Sequence, residues 1–481
     1  MALRLWHIGF GLPEWYHPDE PIKAQKALAI AAGDLNPHYF WHPSFMLYAT
    51  AAAVRAGQSF GWAATPAQAV LAGRVLNAVL GALTVPLTCL LARAAGGWAM
   101  AFAAAALLAV APLAVFCSHY LKEDTPLTFW VVAAALAALR LARRGRNRDY
   151  LIAGALCGAA IASKYTGLLA LVLPLVAHRQ QPHPPARARW RLAAAAALAF
   201  VALTPFALAD LWHFGRGVSH EAGNVVTGMA TSAILPLPWL WTFHLRFSLL
   251  PGFGIVATAL ALLGFVALLR QASPAARLLT AFVGLGYLVF ESSPYKPPPN
   301  FDRYVLPLLP FLAVLALVGV RVLRRRSAVL AGIALALALA EPAGRSVQLL
   351  AAIEPDTRER ARAWLAKQLP ADARVAVEGQ LLTDLGEAVI AYAPRLSNAR
   401  VSYTFSLASL ADRLGEFDCV VASSFIYDRF VRYGAGEPAA RQFYRELFTH
   451  TPAAEFAPAV RSYGFHNPTI RVYCLASPPG P

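Results

Sequence analysis

Two pairs of adjacent acids stand out in a chain that has few: Asp19 and Glu20 in YHPDEP, and Glu123 and Asp124 in SHYLKEDTP. A carboxylate in a rigid turn can take the proton of an attacking hydroxyl, and cations aimed at a departing phosphate can stabilise the charge that develops there. Asp19 and Glu20 are the candidates for the base. Pro18 and Pro21 stiffen their turn and Tyr16 and His17 make it aromatic; the competing reading is a pair of solvated loop acids. Asp124, two residues before Pro126, opens a helix, where the macrodipole alone favours a carboxylate, so a site role and a purely helical one are evenly weighed. Cations come from Lys164 in IASKYTG and from Lys296 and Arg303, beside Tyr304, in YKPPPNFDRYVLPLLP. An arginine there suits bidentate pairing with phosphate, whereas Lys164 could simply snorkel. His220 and Glu221 are candidates for substrate contact, although loop polarity explains them as well. His38 and His42 in NPHYFWHPSF invite a metal reading with His17 and Asp19, but the spacing fits no metal signature and Pro43 interrupts a shared helix face. Nothing here requires a cofactor, and a divalent metal stays open.

The composition says what must position these groups. Of 481 residues, 58% are hydrophobic and only 14% charged, with a mean hydropathy of +0.50. Soluble domains carry about 25% charged residues, so the chain reads as a polytopic membrane protein. The formal charge of +16 would suit a nucleic acid, but its placement argues against one. Arg140, Arg143, Arg144, Arg146 and Arg148 form one block, Arg179, Arg187, Arg189 and Arg191 a second, and Arg321, Arg324, Arg325 and Arg326 a third. Each lies between apolar runs, as cytoplasmic loops do under the positive-inside rule. Of the cysteines, Cys89, Cys117 and Cys157 lie in or beside apolar runs without metal-like spacing. Cys419 and Cys474 fall in the polar C-terminal region, where a disulfide is open to them if that region is extracytoplasmic.

A span needs about 20 apolar residues. Candidate runs lie at 69–92, 98–117, 126–142, 150–163, 166–178, 192–210, 252–269, 277–291, 304–323 and 327–341, with the pair 150–163 and 166–178 short enough to be tilted or incomplete. Alternating sides from Arg93 as cytoplasmic puts every arginine block inside. SHYLKEDTP, SKYTG, the loop 210–251 and ESSPYKPPPNFDR then fall outside. The start, ALRLWHIGFGLP, reads as the outer end of a helix whose inner half is absent, as in a chain that begins late; the alternative is a short interfacial helix. Within 21–67, PIKAQKALAIAAGD (Lys23 and Lys26 on one side, Leu28 and Ile30 on the other) and HPSFMLYATAAAVRAGQSFGW (with an embedded Arg55) read as helices along the outer interface. From 354 the chain turns soluble in character. DTRERARAWLAKQLP, SLASLADRLGEF and PAARQFYRELF are helical, and RVAVE, CVVASS and IRVYCL are strands. The expected fold is a polytopic α-helical bundle of about ten spans plus a remnant first helix (1–341), followed by a small extracytoplasmic α/β domain (354–481).

In order, PDE at 18–20, GDLNPHYFWHPSFMLY, SHYLKEDTPLTFW, AIASKYTGLL and RYVLPLLPFLAVLA resemble the bacterial membrane glycosyltransferases of family 39 with the GT-C fold. Relatives of these are the protein O-mannosyltransferases and the lipid A aminoarabinose transferase. The resemblance covers roughly 10–325, and the outer α/β tail is also similar to many bacterial members. It implies a polyprenyl-phosphate-linked sugar as donor, a hydroxyl acceptor on protein, lipid or glycan, and inversion at the anomeric carbon. It also implies placement in the plasma (inner) membrane with the chemistry on the extracytoplasmic side. Asp19 matches the family's first-loop aspartate and Asp124 its second-loop acid, while Lys164, Arg303 and Tyr304 fall at positions similar to those lining the donor site. The rival from another class is a secondary transporter or flippase of a lipid-linked or sugar substrate. Transporters show inverted repeats and midplane charges; here no repeat is evident and the acids sit in outer loops. A third reading is an inactive scaffold whose α/β domain binds a partner.

Overall fold

A computed structural model describes residues 1–227, 240–295, 301–370, 372–382, 389–397, 399–432, 438–460 and 464–474. Lys296 lies outside the described residues.

The chain opens with a single turn, α1 (Ala2–Leu5), and a run of turns leading to Asp19. Two helices follow, α2 (Glu20–Ala32) and α3 (Phe45–Ser59). They pack together, and the embedded Arg55 donates to the carbonyl of Ala31, near the exposed C-terminal end of α2, at 2.9 Å. The long helix α4 (Pro66–Gly96) carries a full capping box, Thr65 with Gln68. The apolar run at 98–117 does not stay one helix. α5 (Trp98–Val110) stops where Ala111 takes an extended conformation before Pro112, and α6 (Pro112–Cys117) begins at that proline, in keeping with the steric demand of proline on its predecessor.

α7 (Asp124–Arg144) is a strong span candidate whose last turn holds Arg143 and Arg144. α8 (Asn147–Ser163) runs back to Lys164, whose backbone is extended, and a 3₁₀ turn over Tyr165–Leu171 then leads into α9 (Val172–His178). The expected short pair is thus a helix broken at the lysine. α10 (Ala188–Leu203), α11 (Phe206–Ala209) and α12 (Leu211–Val226) follow. The last of these lies in the stretch expected as a long outer loop, capped by the Asp210 side chain on the His213 N–H. After 240, α13 (Leu250–Gly252) and α14 (Ile255–Leu269) belong to a pair of helical pieces bent by 110°. α15 (Pro274–Ser292), α16 (Leu309–Arg324) and α17 (Ala328–Ala351) complete the bundle. Small residues let helices touch: a Cβ at Gly264 would run into the Leu315 carbonyl, and one at Gly319 into that of Leu260, so α14 and α16 meet backbone to backbone.

Among the described residues, five helices are long and apolar enough to cross a membrane, or six with the bent pair. About ten spans were expected. The apolar run at 166–178 forms a shorter helix, the break at Ala111 divides the run 98–117, and α8 and α10 are 17 and 16 residues long.

The C-terminal region contains α18 (Thr357–Gln368), α19 (Ser424–Val431) and α20 (Pro438–Leu447), with a 3₁₀ stretch at Leu407–Glu416. Its strands are β1 (Arg374–Glu378), β2 (Gln380–Leu382), β3 (Val389–Ala391), β4 (Arg400–Thr404), β5 (Cys419–Ser423), β6 (Ala454–Phe456) and β7 (Ile470–Cys474). Five form a sheet in the order β4-β1-β5-β7-β6; β1 is parallel to β4 and β5, and β7 is antiparallel to β5 and β6. Opposed across β5 and β7, Cys419 and Cys474 are disulfide-bonded.

Candidate active site

Asp19 occupies the N-cap position of α2, yet its side chain makes no capping bond. It reaches instead to the Lys122 ammonium, which donates to Oδ2 at 2.5 Å. Its own N–H donates to Nδ1 of His17 at 3.1 Å, so that nitrogen carries a lone pair and the ring is held in one orientation. The Asp19 side chain retains 38% of its accessible surface although its neighbours are buried. It is the carboxylate that an incoming group can reach.

Its neighbour Glu20, expected to share the chemistry, faces elsewhere. Glu20 accepts from Arg74 Nε at 2.9 Å and Nη2 at 2.6 Å, and from the Leu121 N–H at 2.8 Å. Arg74 also donates to the carbonyls of Ile8 and Phe10 and lies over the Phe10 ring. Both charged groups are fully buried. Glu20 therefore ties the first turn to α4 and to the segment before α7, and has no free face to offer a substrate.

The KED run at 122–124 feeds three directions. Lys122 takes Asp19. Glu123 pairs with Lys23 of α2 at 2.5 Å, and the second Glu123 oxygen lies 3.6 Å from His42. Asp124, the first residue of α7, accepts from Lys164 at 2.7 Å and lies 3.0 Å from Arg303 Nε. Arg303 also comes within 4.0 Å of Asp19, so it bridges the two expected acids. The Lys164 ammonium stands 4.1 Å from the centre of the Tyr304 ring, a cation–π contact that holds the lysine from a second side. The break after α8 thus has a purpose: it frees Lys164 from the helix and lets its ammonium meet α7 and the segment Phe301–Leu308. Expected as part of a surface face of an amphipathic helix, Lys23 is instead buried.

Electrostatics favour the charged forms at the centre. Its desolvated surroundings push the Asp19 carboxyl up, but the Lys122 ammonium, with lesser help from Lys23 and Arg303, holds it well below the usual carboxylate range. Burial likewise opposes ionisation of Glu123, and the ammoniums of Lys23 and Lys122 overcome it. Burial brings His42 down to about 3, so it is neutral at physiological pH. Glu221, 3.9 Å from His42, is raised by burial. Buried ions are tolerated where they are paired, and removing one partner is costly.

The remaining candidates divide. His220 lies outside this cluster, stacked on Trp41 with ring centres 4.2 Å apart, where the two form part of an open groove with Tyr39, Trp212 and Arg216. The metal reading of His38 and His42 with His17 and Asp19, against which the spacing spoke, does not describe the group that the structure brings together among the described residues. His38 instead joins Asp210 and His213, whose ligand atoms all lie within 4.8 Å of one another and could hold an ion; both rings are hydrogen-bonded to Asp210. Lys122, Lys23 and Arg74 were missed by sequence reasoning. For Lys122 the signal was present, since a lysine beside two outer-loop acids is the nearest available partner for a third.

The sequence model for dolichyl-phosphate-mannose-protein mannosyltransferase matches residues 67–209, which carry Lys122, Asp124 and Lys164. Among solved structures, ArnT from Cupriavidus metallidurans bound to undecaprenyl phosphate is 16% identical, with a TM-score of 0.55 over 100% of this chain and 98% of that one. The chain has the GT-C fold. ArnT in the apo state gives a TM-score of 0.51 at 16% identity over 100% and 97% of the two chains. The Archaeoglobus fulgidus oligosaccharyltransferase tethered to an acceptor peptide gives 0.50 at 15% identity over 88% and 67%. No curated protein matches the sequence significantly. With its run of apolar helices, the GT-C fold is that of a multi-pass membrane protein.

Proposed function

We propose that this protein transfers a sugar from a polyprenyl-phosphate donor to a hydroxyl acceptor, with inversion, on the extracytoplasmic face of the plasma (inner) membrane. One observation carries the reading: an accessible carboxylate, Asp19, shares a buried cluster with Lys122, Lys164 and Arg303. Acceptor oxygen attacks the anomeric carbon while its proton passes to Asp19. The bond from that carbon to the phosphate oxygen breaks, and the electron pair leaves with the prenyl phosphate. The transition state is oxocarbenium-like, by analogy with glycoside hydrolysis. Lys164 and Arg303 face the departing phosphate, and Lys122 keeps Asp19 ionised and aimed. Two further facts support the reading. ArnT, which shares the fold, was crystallised with undecaprenyl phosphate, and the Cys419–Cys474 disulfide suits an oxidising compartment on the side of the sheet.

The test is transfer by the purified full chain from a panel of prenyl-phosphate sugars to protein, lipid and glycan acceptors. Wild type should turn over at least one donor, and Asp19→Asn should lose about 10²–10⁴-fold, the span of general-base contributions. Equal turnover by the two proteins removes Asp19 from the mechanism. Substrate flux in liposomes without any glycosyl transfer would replace the enzyme by a transporter.

A further inference from the structure

The turn bearing Asp19 is held from both sides. Behind it, Glu20 is locked to Arg74 and Leu121. Ahead of it, the fastening comes from the C-terminal region, more than 330 residues away in sequence. The Arg358 guanidinium lies 3.6 Å from the centre of the Tyr16 ring and donates to the Tyr16 carbonyl at 3.4 Å. Tyr16 Oη donates to Glu359 at 3.2 Å, and Arg362 donates to Glu14 at 2.6 Å. His17, next in line, sits against Phe465 at 4.1 Å and Tyr120 at 4.9 Å between ring centres. The Phe465 N–H donates to Tyr120 Oη at 2.9 Å.

Arg358 is itself rigid. Asp356, the N-cap of α18, accepts from Arg358 Nε and Nη2, both at 2.8 Å, and from the Asn467 N–H at 2.7 Å. Arg358 Nη2 also donates to the Phe465 carbonyl at 2.8 Å. One buried cation thus fixes the two segments, 356–358 and 465–467, that grip Tyr16 and His17. The Nδ1 of His17 in turn accepts from the N–H of Asp19.

We propose that Arg358 is a positioning residue: through Tyr16 and His17 the C-terminal domain sets where Asp19 stands, so the reaction on the membrane bundle depends on a fastening made outside it. This rests on Asp19 being the base. A misplacement of about 1 Å can cost a reaction about 10²-fold, so loosening the turn should lower kcat. The donor KM should hold, because Lys164 and Arg303 are carried by other elements.

The decisive variant is Tyr16→Ala, which removes the platform and leaves the Arg358–Asp356 pair intact; Arg358→Ala, which leaves the Asp356 carboxylate buried without its counter-charge, serves as its partner. Transfer from the prenyl-phosphate sugar that wild type turns over should lose about 10–100-fold in kcat for Tyr16→Ala, with donor KM within about twofold. The double variant should be no worse than the worse single one, as for residues acting through one another. Tyr16→Phe, which keeps the ring, should restore most of the rate. The acid limb of the pH profile should move to higher pH, since Asp19 would draw away from Lys122, Arg303 and Lys23, the cations that face it along with His17. A rate loss that only follows the folded fraction, with the acid limb fixed, overturns the proposal. If no donor is turned over by wild type, the functional reading fails on its own. Alkylation of Asp19→Cys by a charged maleimide then decides the positioning: a rate unchanged by Tyr16→Ala refutes it, and a change of about fivefold or more, beyond simple surface effects, upholds it.

Discussion

Asp19 and Glu20 are adjacent and chemically alike, and their surroundings predict opposite responses to losing the charge. Glu20→Gln keeps the shape of the side chain. It leaves the Arg74 guanidinium buried without a counter-charge and sets an amide NH₂ against one of three donors now satisfied at 2.6–2.9 Å. Breaking a buried pair by removing one partner costs about 3–5 kcal/mol, which lowers the folded-to-unfolded ratio about 150- to 5,000-fold. Asp19→Asn removes a carboxylate that keeps 38% of its surface, and Lys122 still has Glu123 at 3.5 Å. Its cost to stability should stay near 1 kcal/mol, the scale of a partly solvated pair. The assay is denaturant or thermal unfolding of the detergent-purified protein, run beside single-turnover transfer. Glu20→Gln should unfold early, with activity tracking the folded fraction, and Asp19→Asn should fold and be inactive. Replacing Glu20 and Arg74 together by Met should recover most of the stability. If Glu20→Gln is as stable as wild type and catalytically dead, the assignment of roles to the two acids is wrong.

Lys164→Met should fold and lose about 10²–10³-fold in kcat, the usual result of removing one donor to a developing anion; donor cleavage measured in a single turnover checks it. With Asp19 held below the ordinary carboxylate range, the base is ionised above its lowered pKa and is lost only as pH falls through it. The wild-type rate should therefore hold from neutrality down to about pH 4, near the unperturbed aspartate value. Lys122→Met should move the acid limb upward, and a wild-type rate already halved at pH 6 would count against Asp19. Cys419 and Cys474 close a loop of 55 residues, whose constraint is worth about 4 kcal/mol on the chain-entropy estimate. Cys419→Ser should make the C-terminal region protease-sensitive while the membrane bundle stays intact, and non-reducing gels of the wild type should show the faster-migrating bonded form.

Much of this was legible because the signals were local. Apolar runs and arginine blocks announced the bundle, and RVAVE, CVVASS and IRVYCL appear as β1, β5 and β7 with residues that suit a buried sheet. Asp124, Lys164 and Arg303 were named separately and are found within one set of ion pairs. What was not legible depended on which way a side chain turned. Asp19 and Glu20 are one residue apart, and only the path of α4 decides that Arg74 captures the second. Lys23 looked like part of a solvated helix face because its partner, Glu123, is 100 residues away in sequence. Periodicity has no access to such a pairing. The break of the 98–117 run at Ala111 was written in Pro112, whereas the extended backbone at Lys164 has no proline beside it and only Gly167, whose missing Cβ lets it lie against the Ala160 carbonyl, to mark it.

The site's alternation of charge also explains how it can hold cations ready without a ligand. A polyprenyl-phosphate sugar is a phosphodiester with one negative charge, and its departing phosphate gains a further ionisable oxygen whose pKa is about 6. Negative charge at the phosphate therefore grows as the sugar leaves. Stabilisation that counts toward rate must be stronger in that state than in the bound donor. Lys164 and Arg303 are both drawn to Asp124, so a singly charged donor competes for them against a carboxylate of equal charge, while a doubly charged product competes on better terms. On the proposed mechanism, Asp124 thus holds the two cations in place and shifts their gain toward the later part of the reaction. On the same proposed mechanism, Asp19, paired with Lys122 and reached only distantly by Arg303, is left to take the acceptor proton.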